Sequence, residues 1–226
     1  MDLRHDVVMG LQITVRGSAQ QRHAPERAIL RMAVVVEGED RAIVVDEAAA
    51  VQEPLADQLR SLADRGAVAA WSSDQVQVYS RRPWNGGVES SSVVHTARLH
   101  VTAEFADVER LSGFLGHWSA LEGVEVVGLD WDVTGENRRR YEADVRKAAV
   151  DDAVVKAQAY ADAVGRGRVT AVELADPGML EGEGAAVPPV PMTLARSAAP
   201  GEGAGPALEP EEIVIGVEVD ARFQAE

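Results

Sequence analysis

Leu11, Ile13 and Val15 alternate with Gln12, Thr14 and Arg16, the period-two rhythm of a strand with one buried face. Pro25 interrupts the chain, and a second alternation follows through Ala28, Leu30, Met32, Val34 and Val36. After Asp40, a suitable N-cap, the apolar spacing changes to threes and fours through Val44, Ala48, Val51, Leu55, Leu59 and Leu62, which predicts a helix over 41–64. Pro54 inside it should kink or split it, and Gly66 should stop it. Residues 75–82 and 91–105 read as a hairpin. Its long arm places Val93, His95, Ala97, Leu99, Val101, Ala103 and Phe105 on one face, and Asn85–Gly86–Gly87 suits the turn. Asp107 should cap a short helix carrying Leu111, Phe114, Leu115 and Trp118. A strand over 123–133 follows, with Val127, Leu129, Trp131 and Val133 on one side.

A long helix is expected over 137–164, ending at Gly165, and a strand over 168–175. Residues 177–210 then hold seven of the ten prolines and little periodicity, a flexible excursion by composition. The alternation of Ile213, Ile215, Val217, Val219, Ala221 and Phe223 predicts a last strand over 212–224 that rejoins the sheet. The order ββαββαβαββ predicts an α+β fold: a mixed or largely antiparallel sheet packed by two long helices and one short one, in a single domain spanning 1–226.

The long helix is chemically quiet. On a helical wheel, Ala149, Ala153, Ala157, Tyr160, Ala161 and Val164 fall within an arc of about 120°. Small residues on a buried face let a helix backbone approach its neighbour closely. Asp152 and Lys156 form an i,i+4 pair worth about 0.3 kcal/mol. These features predict a packing element.

The ordered set Ile13, Val15, Gly17, Pro25 and Glu26, followed by Ala149, Asp152, Ala153, Lys156, Ala157, Ala161 and Gly165, resembles the SIMPL-domain family, also described as YggE-like or periplasmic-immunogenic-protein-like. That pattern is a strand I-x-V-x-G, a Pro-acidic turn and, later, a long alanine helix with Asp and Lys at fixed places. The resemblance covers about 11–224 in order. It implies an α+β fold, assembly into oligomers and no accepted catalytic site. Many bacterial relatives are exported to the cell envelope, and animal relatives are linked to signalling through kinase association.

Charge narrows the functional classes. The chain has 22 Lys and Arg against 37 Asp and Glu, a formal charge of −15, which disfavours nucleic acid as a partner. With no cysteine, disulfides, thiolate catalysis and Cys-based metal sites are excluded. No window approaches the ~18 apolar residues of a membrane span, and the first residues lack the apolar core of a signal peptide. The sequence as written therefore predicts a cytoplasmic chain.

Candidate chemistry is sparse. His95 and His100 are five apart on one strand and should point to opposite faces, while His5, His23 and His117 are expected to be structural or exposed. Asp130 and Asp132 share a strand face and are the candidates for a divalent cation such as Mg²⁺ or Ca²⁺, although two carboxylates more often form a solvated face. Ser90, Ser91 and Ser92 are read as hairpin residues, and no P-loop, G-x-S-x-G or H-E-x-x-H motif occurs. Two basic clusters stand against the acidic background. Arg81 and Arg82 lie with Trp84 at the hairpin tip, and Arg138, Arg139 and Arg140 open the long helix, where positive charge opposes the macrodipole at about 0.3–1 kcal/mol per charge. An acidic protein surface, or Glu209, Glu211 and Glu212 of the chain itself, would offset that cost. Trp84 is the candidate interface anchor, whereas Trp71, Trp118 and Trp131 are assigned to the core. The expected function is that of a non-enzymatic, homo-oligomeric binding or scaffold protein with no cofactor. The alternatives are a small-ligand or divalent-metal-binding protein and an uncharacterised hydrolase.

Overall fold

The computed structural model describes residues 10–85, 88–89, 92–180 and 208–226. The fold is α+β, and every strand pairing among the described residues is antiparallel. The contacts gather into two compact units, each with its own core. Unit 1 comprises described residues of 1–23, 134–194 and 213–226, and unit 2 those of 24–133 and 195–212. The sequence of unit 2 is thus threaded through that of unit 1. Of the predicted excursion, residues 181–207 lie outside the described residues.

Unit 1 holds a three-stranded sheet in the order β1 (Leu11–His23), β10 (Ile213–Ala225), β9 (Val169–Ala175), with helix α3 (Gly135–Ala163) packed on it. The predicted alternation of the first and last strands is realised as one unbroken register, from Leu11↔Ala225 to His23↔Ile213. Ile13, Val219, Ala221 and Phe223 meet Ala149, Ala153, Ala157 and Ala161 in the core. On the opposite face Arg16 pairs with Asp220 at 2.6 Å and Glu218 at 3.5 Å, and Arg222 pairs with Glu173 at 2.6 Å.

The buried residues of α3 are Val145, Ala149, Ala153, Ala157 and Ala161, a single i,i+4 row. Tyr160 and Val164, expected on the buried arc, are exposed. Packing follows one ridge, inclined to the helix axis, so residues flanking the row fall outside the contact even where a wheel places them nearby. At its C-terminus the helix closes as a Schellman motif: Gly165 adopts φ 69°, its N–H donates to the Asp162 carbonyl, and the Arg166 N–H donates to that of Ala161.

Unit 2 contains β2 (Arg27–Gly38), α1 (Arg41–Asp64), β3 (Val68–Ser73), β4 (Gln77–Arg81), β5 (Trp84–Asn85), β6 (Val88–Glu89), β7 (Val94–Phe105), α2 (Val108–Trp118) and β8 (Val124–Asp132). Its sheet runs β3-β7-β2-β8, with β4 also paired to β7. The even residues of β2 and the odd residues of β7 bury against α1 and α2, and Phe105, Phe114 and Trp118 form a chain of tilted rings. Asp40 caps α1 by accepting from the Ala42 and Ile43 N–H groups, and Asp107 caps α2 by accepting from the Arg110 N–H. Trp118 Nε1 donates to Gln58 Oε1 at 2.7 Å, which ties α2 to α1.

Several local expectations are corrected. Helix α1 is continuous through Pro54, which is exposed, so it is not split. Strand β3 was not anticipated. Its burial alternates weakly, because as an edge strand it presents Ala69 and Ala70 to solvent. In β8 a register shift beside Arg31 and Met32 leaves Val127 unpaired and exposed, so the face carrying Leu129 and Trp131 does not continue through Val127. Trp118 is buried as expected, whereas Trp71 and Trp131 are half-buried and packed against the core margin. Gly86, Gly87, Ser90 and Ser91 lie outside the described residues.

Candidate functional site

The most specific arrangement in unit 1 is the seam between β1 and α3. Gly17 faces the helix at a point where an added Cβ would stand 2.0 Å from the Ala149 carbonyl oxygen and 2.8 Å from both the amide nitrogen and the Cβ of Ala153. Backbone therefore lies against backbone, which only glycine on the strand and alanine on the helix permit. The alanine methyls themselves contribute modestly, about 0.8 kcal/mol each. Close contact supplies dispersion along the whole seam.

The same turn of helix clamps the strand edge. Among the described residues, strand β1 pairs only with β10, on one side, so its even residues direct their backbone groups away from that partner. Asp152 Oδ2 accepts from the Ser18 N–H at 2.8 Å, and Lys156 Nζ donates to the Arg16 carbonyl at 3.0 Å. The two side chains also join each other at 2.6 Å. The Lys156 hydrogen bond, reinforced by the Ser18 N–H, holds the Asp152 carboxyl below its usual range. An ion pair on the helix thus takes the place of a further strand over part of the open edge. Helical spacing shows the pair but not its use, because the acceptor and donor on β1 are backbone groups.

The basic clusters resolve differently. Arg81 reaches the Glu37 carboxylate at 3.2 Å, and Glu37 also accepts from Thr96 Oγ1 at 2.9 Å. These contacts, Thr96 first, keep the Glu37 carboxyl below its usual range. Arg82 is exposed, and Trp84 is 70% exposed on the short β5–β6 ribbon. In unit 1, helix α3 starts earlier than predicted, with Thr134 as N-cap and Glu136 in the first turn. Arg138, Arg139 and Arg140 therefore lie beyond that turn, where the macrodipole cost has faded. Arg140 sits over the Tyr141 ring at 5.0 Å, and Tyr141 stacks on His23 at 3.5 Å.

Asp130 and Asp132 do share a face of β8, and both are engaged by arginine. Arg31 meets Asp130 at 2.5 Å, and Arg27 bridges Asp132 at 2.8 Å and Glu104 at 2.7 Å. A cation placed there would have to displace two guanidinium groups. Among the described residues no group of three or more His, Cys, Asp or Glu is placed to hold a metal. Ser80 Oγ lies 2.8 Å from His95 Nδ1, a contact that spacing alone did not suggest. Glu37, which lies on the neighbouring β2 strand, serves Thr96 and Arg81 rather than that imidazole.

With the seam in view, the comparison with known families is decisive. The model of the SIMPL family, described as a protein of unknown function (DUF541), matches residues 13–223. The chain belongs to the SIMPL family. No curated protein matches it. The SIMPL match begins in β1 at Ile13 and ends in β10 at Phe223, so it takes in both units. Gly17, Ala149, Asp152, Ala153 and Lys156, which carried the resemblance in sequence, are the residues that seat and clamp α3. No helix among the described residues is long and apolar enough to cross a membrane.

Proposed function

We propose that this SIMPL protein is a non-enzymatic building block that assembles with copies of itself and presents the assembly to a protein partner. The observation that carries the proposal is the surface of unit 1. Val155 and Tyr160 on α3, Val164 at its C-cap, Val172 and Leu174 on β9 and Val214 on β10 are large apolar side chains left more than half exposed. They belong to the same unit as a three-stranded sheet whose outer strands, β1 and β9, each pair on one side only among the described residues. Apolar exposure beside unpaired strand edges is characteristic of surfaces that become covered on association. Within this reading, Arg138, Arg139 and Arg140 on unit 1 and Arg81, Arg82 and Trp84 on unit 2 are contact residues for an acidic protein surface. The arginine partners of Asp130 and Asp132 favour this reading over metal binding.

Size-exclusion chromatography with light scattering tests the proposal. At micromolar concentration the eluting species is expected at an integer multiple of 24.1 kDa. A homogeneous monomer across that range would end the self-assembly reading.

A further inference from the structure

We infer that two copies of this chain join along the outer edge of β9, as antiparallel twofold partners with Val172 of one copy opposite Val172 of the other. This contact rests on the self-assembly reading and lies wholly within unit 1 of each copy. Of the two outer strands of the unit 1 sheet, β1 has Ser18 and Arg16 clamped by Asp152 and Lys156. On β9 the helix engages the first residue, whose N–H donates to Gln158 Oε1 at 3.0 Å. From Thr170 to Leu174 every residue is exposed, and among the described residues no strand pairs with that edge. Val172 and Leu174 are 58% and 53% exposed there.

Two separate features choose the same register. Strand β9 carries a bulge: Ala171 pairs with Phe223 and Glu173 with Arg222, which leaves Val172 without a partner on β10. A bulge bends an edge strand and spoils it as a template for a regular strand. A strand with the same bulge at the same height can follow that bend, and in a twofold pair this sets Val172 against Val172.

Charge selects that register as well. With Val172 at the centre, Arg168 of each copy falls opposite Asp176 of the other, Thr170 opposite Leu174 and Glu173 opposite Ala171. Arg168 and Asp176 are exposed, and among the described residues neither side chain has a partner. No two like charges face each other, although each chain carries a net −15. A slip of one residue either way sets Ala175 or Pro177 opposite Arg168 and loses both ion pairs. Shape and charge therefore both fit the edge of a second copy better than an unrelated strand.

Disulfide trapping in the full chain tests the contact. The protein has no cysteine, so a single introduced thiol can bond only to its counterpart in another copy. Directly opposed residues of an antiparallel pair stand close enough for a disulfide. With copper–phenanthroline as oxidant, Val172→Cys should run as a covalent dimer on a non-reducing gel. Adding Asp176→Arg sets arginine against arginine and should slow the cross-linking by about fivefold or more. Adding Arg168→Asp as well restores both pairs with their ends exchanged and should recover the rate. Light scattering on the unsubstituted chain separates this contact from the broader reading. An oligomer whose Val172→Cys form does not cross-link would overturn the β9 contact and leave self-assembly standing, whereas a monomer would overturn both. Equal cross-linking rates in all three variants would mark chance collision and overturn the contact too.

Discussion

Gly17→Ala is expected to cost about 3 kcal/mol or more of stability, at the upper end of what one extra methyl costs in a packed core. The new Cβ would meet the Ala149 carbonyl at 2.0 Å and Ala153 at 2.8 Å, and the first of these is backbone with no rotamer to yield. Either α3 lifts from β1, losing the alanine row and the Ser18–Asp152 bond together, or the strand bends out of its register with β10. Gly216→Ala is the matched control. It lies on the adjacent strand, and its added Cβ would make ordinary contacts of 3.7 Å or more. That substitution should stay within about 0.5 kcal/mol of the parent. Urea unfolding followed by circular dichroism compares the two, and equal, small shifts would refute the tight seating of α3.

In unit 2 the corresponding large effect comes from emptying the core. Phe105 is 1% exposed, with its ring 5.3 Å from that of Phe114. Phe105→Ala should cost about 3–5 kcal/mol, the range for deleting a buried aromatic ring. Combining it with Phe114→Ala should fall short of the sum of the single changes by about 1 kcal/mol, because the two rings share one contact. All four tryptophans lie between residues 24 and 133, so their fluorescence reports on unit 2. A fluorescence midpoint unmoved by Phe105→Ala would show that this ring chain does not hold the unit.

Much of the fold was readable from local rules. The strands β1, β2, β7 and β10 each bury one face against helices and leave the other wet, so alternation marks them clearly. Asp40, Asp107 and Gly165 announce helix ends because capping is a local hydrogen-bonding problem. The failures share a cause, dependence on partners distant in sequence. Strand β3 is an edge with little to bury, the bulge in β8 answers to β2, and Tyr160 and Val164 are excluded by the width of one packing ridge. The role of Arg138, Arg139 and Arg140 changed once Thr134, and not a later residue, proved to start the helix.

The candidate site was legible as composition and hidden as geometry. Asp152 and Lys156 looked like a weak surface pair, and alternation placed Gly17 on the inward face of a strand without showing what it meets there. Only the placement of α3 across β1 turns them into one device. Asp130 and Asp132 were correctly placed on one face, yet Arg27 and Arg31 come from a strand about a hundred residues earlier. The paired cores could not be anticipated either, since unit 1 is assembled from segments that flank the whole of unit 2 in sequence.

Amide hydrogen exchange along β1 tests the seating of α3 most directly. The N–H groups of Thr14, Ser18 and Gln20 all point away from β10, but only that of Ser18 has an acceptor on the helix. The account predicts that Ser18 exchanges far more slowly than Thr14 and Gln20, and that Asp152→Ala removes the difference. Exchange at Ser18 as fast as at its two neighbours in the unsubstituted protein would contradict it.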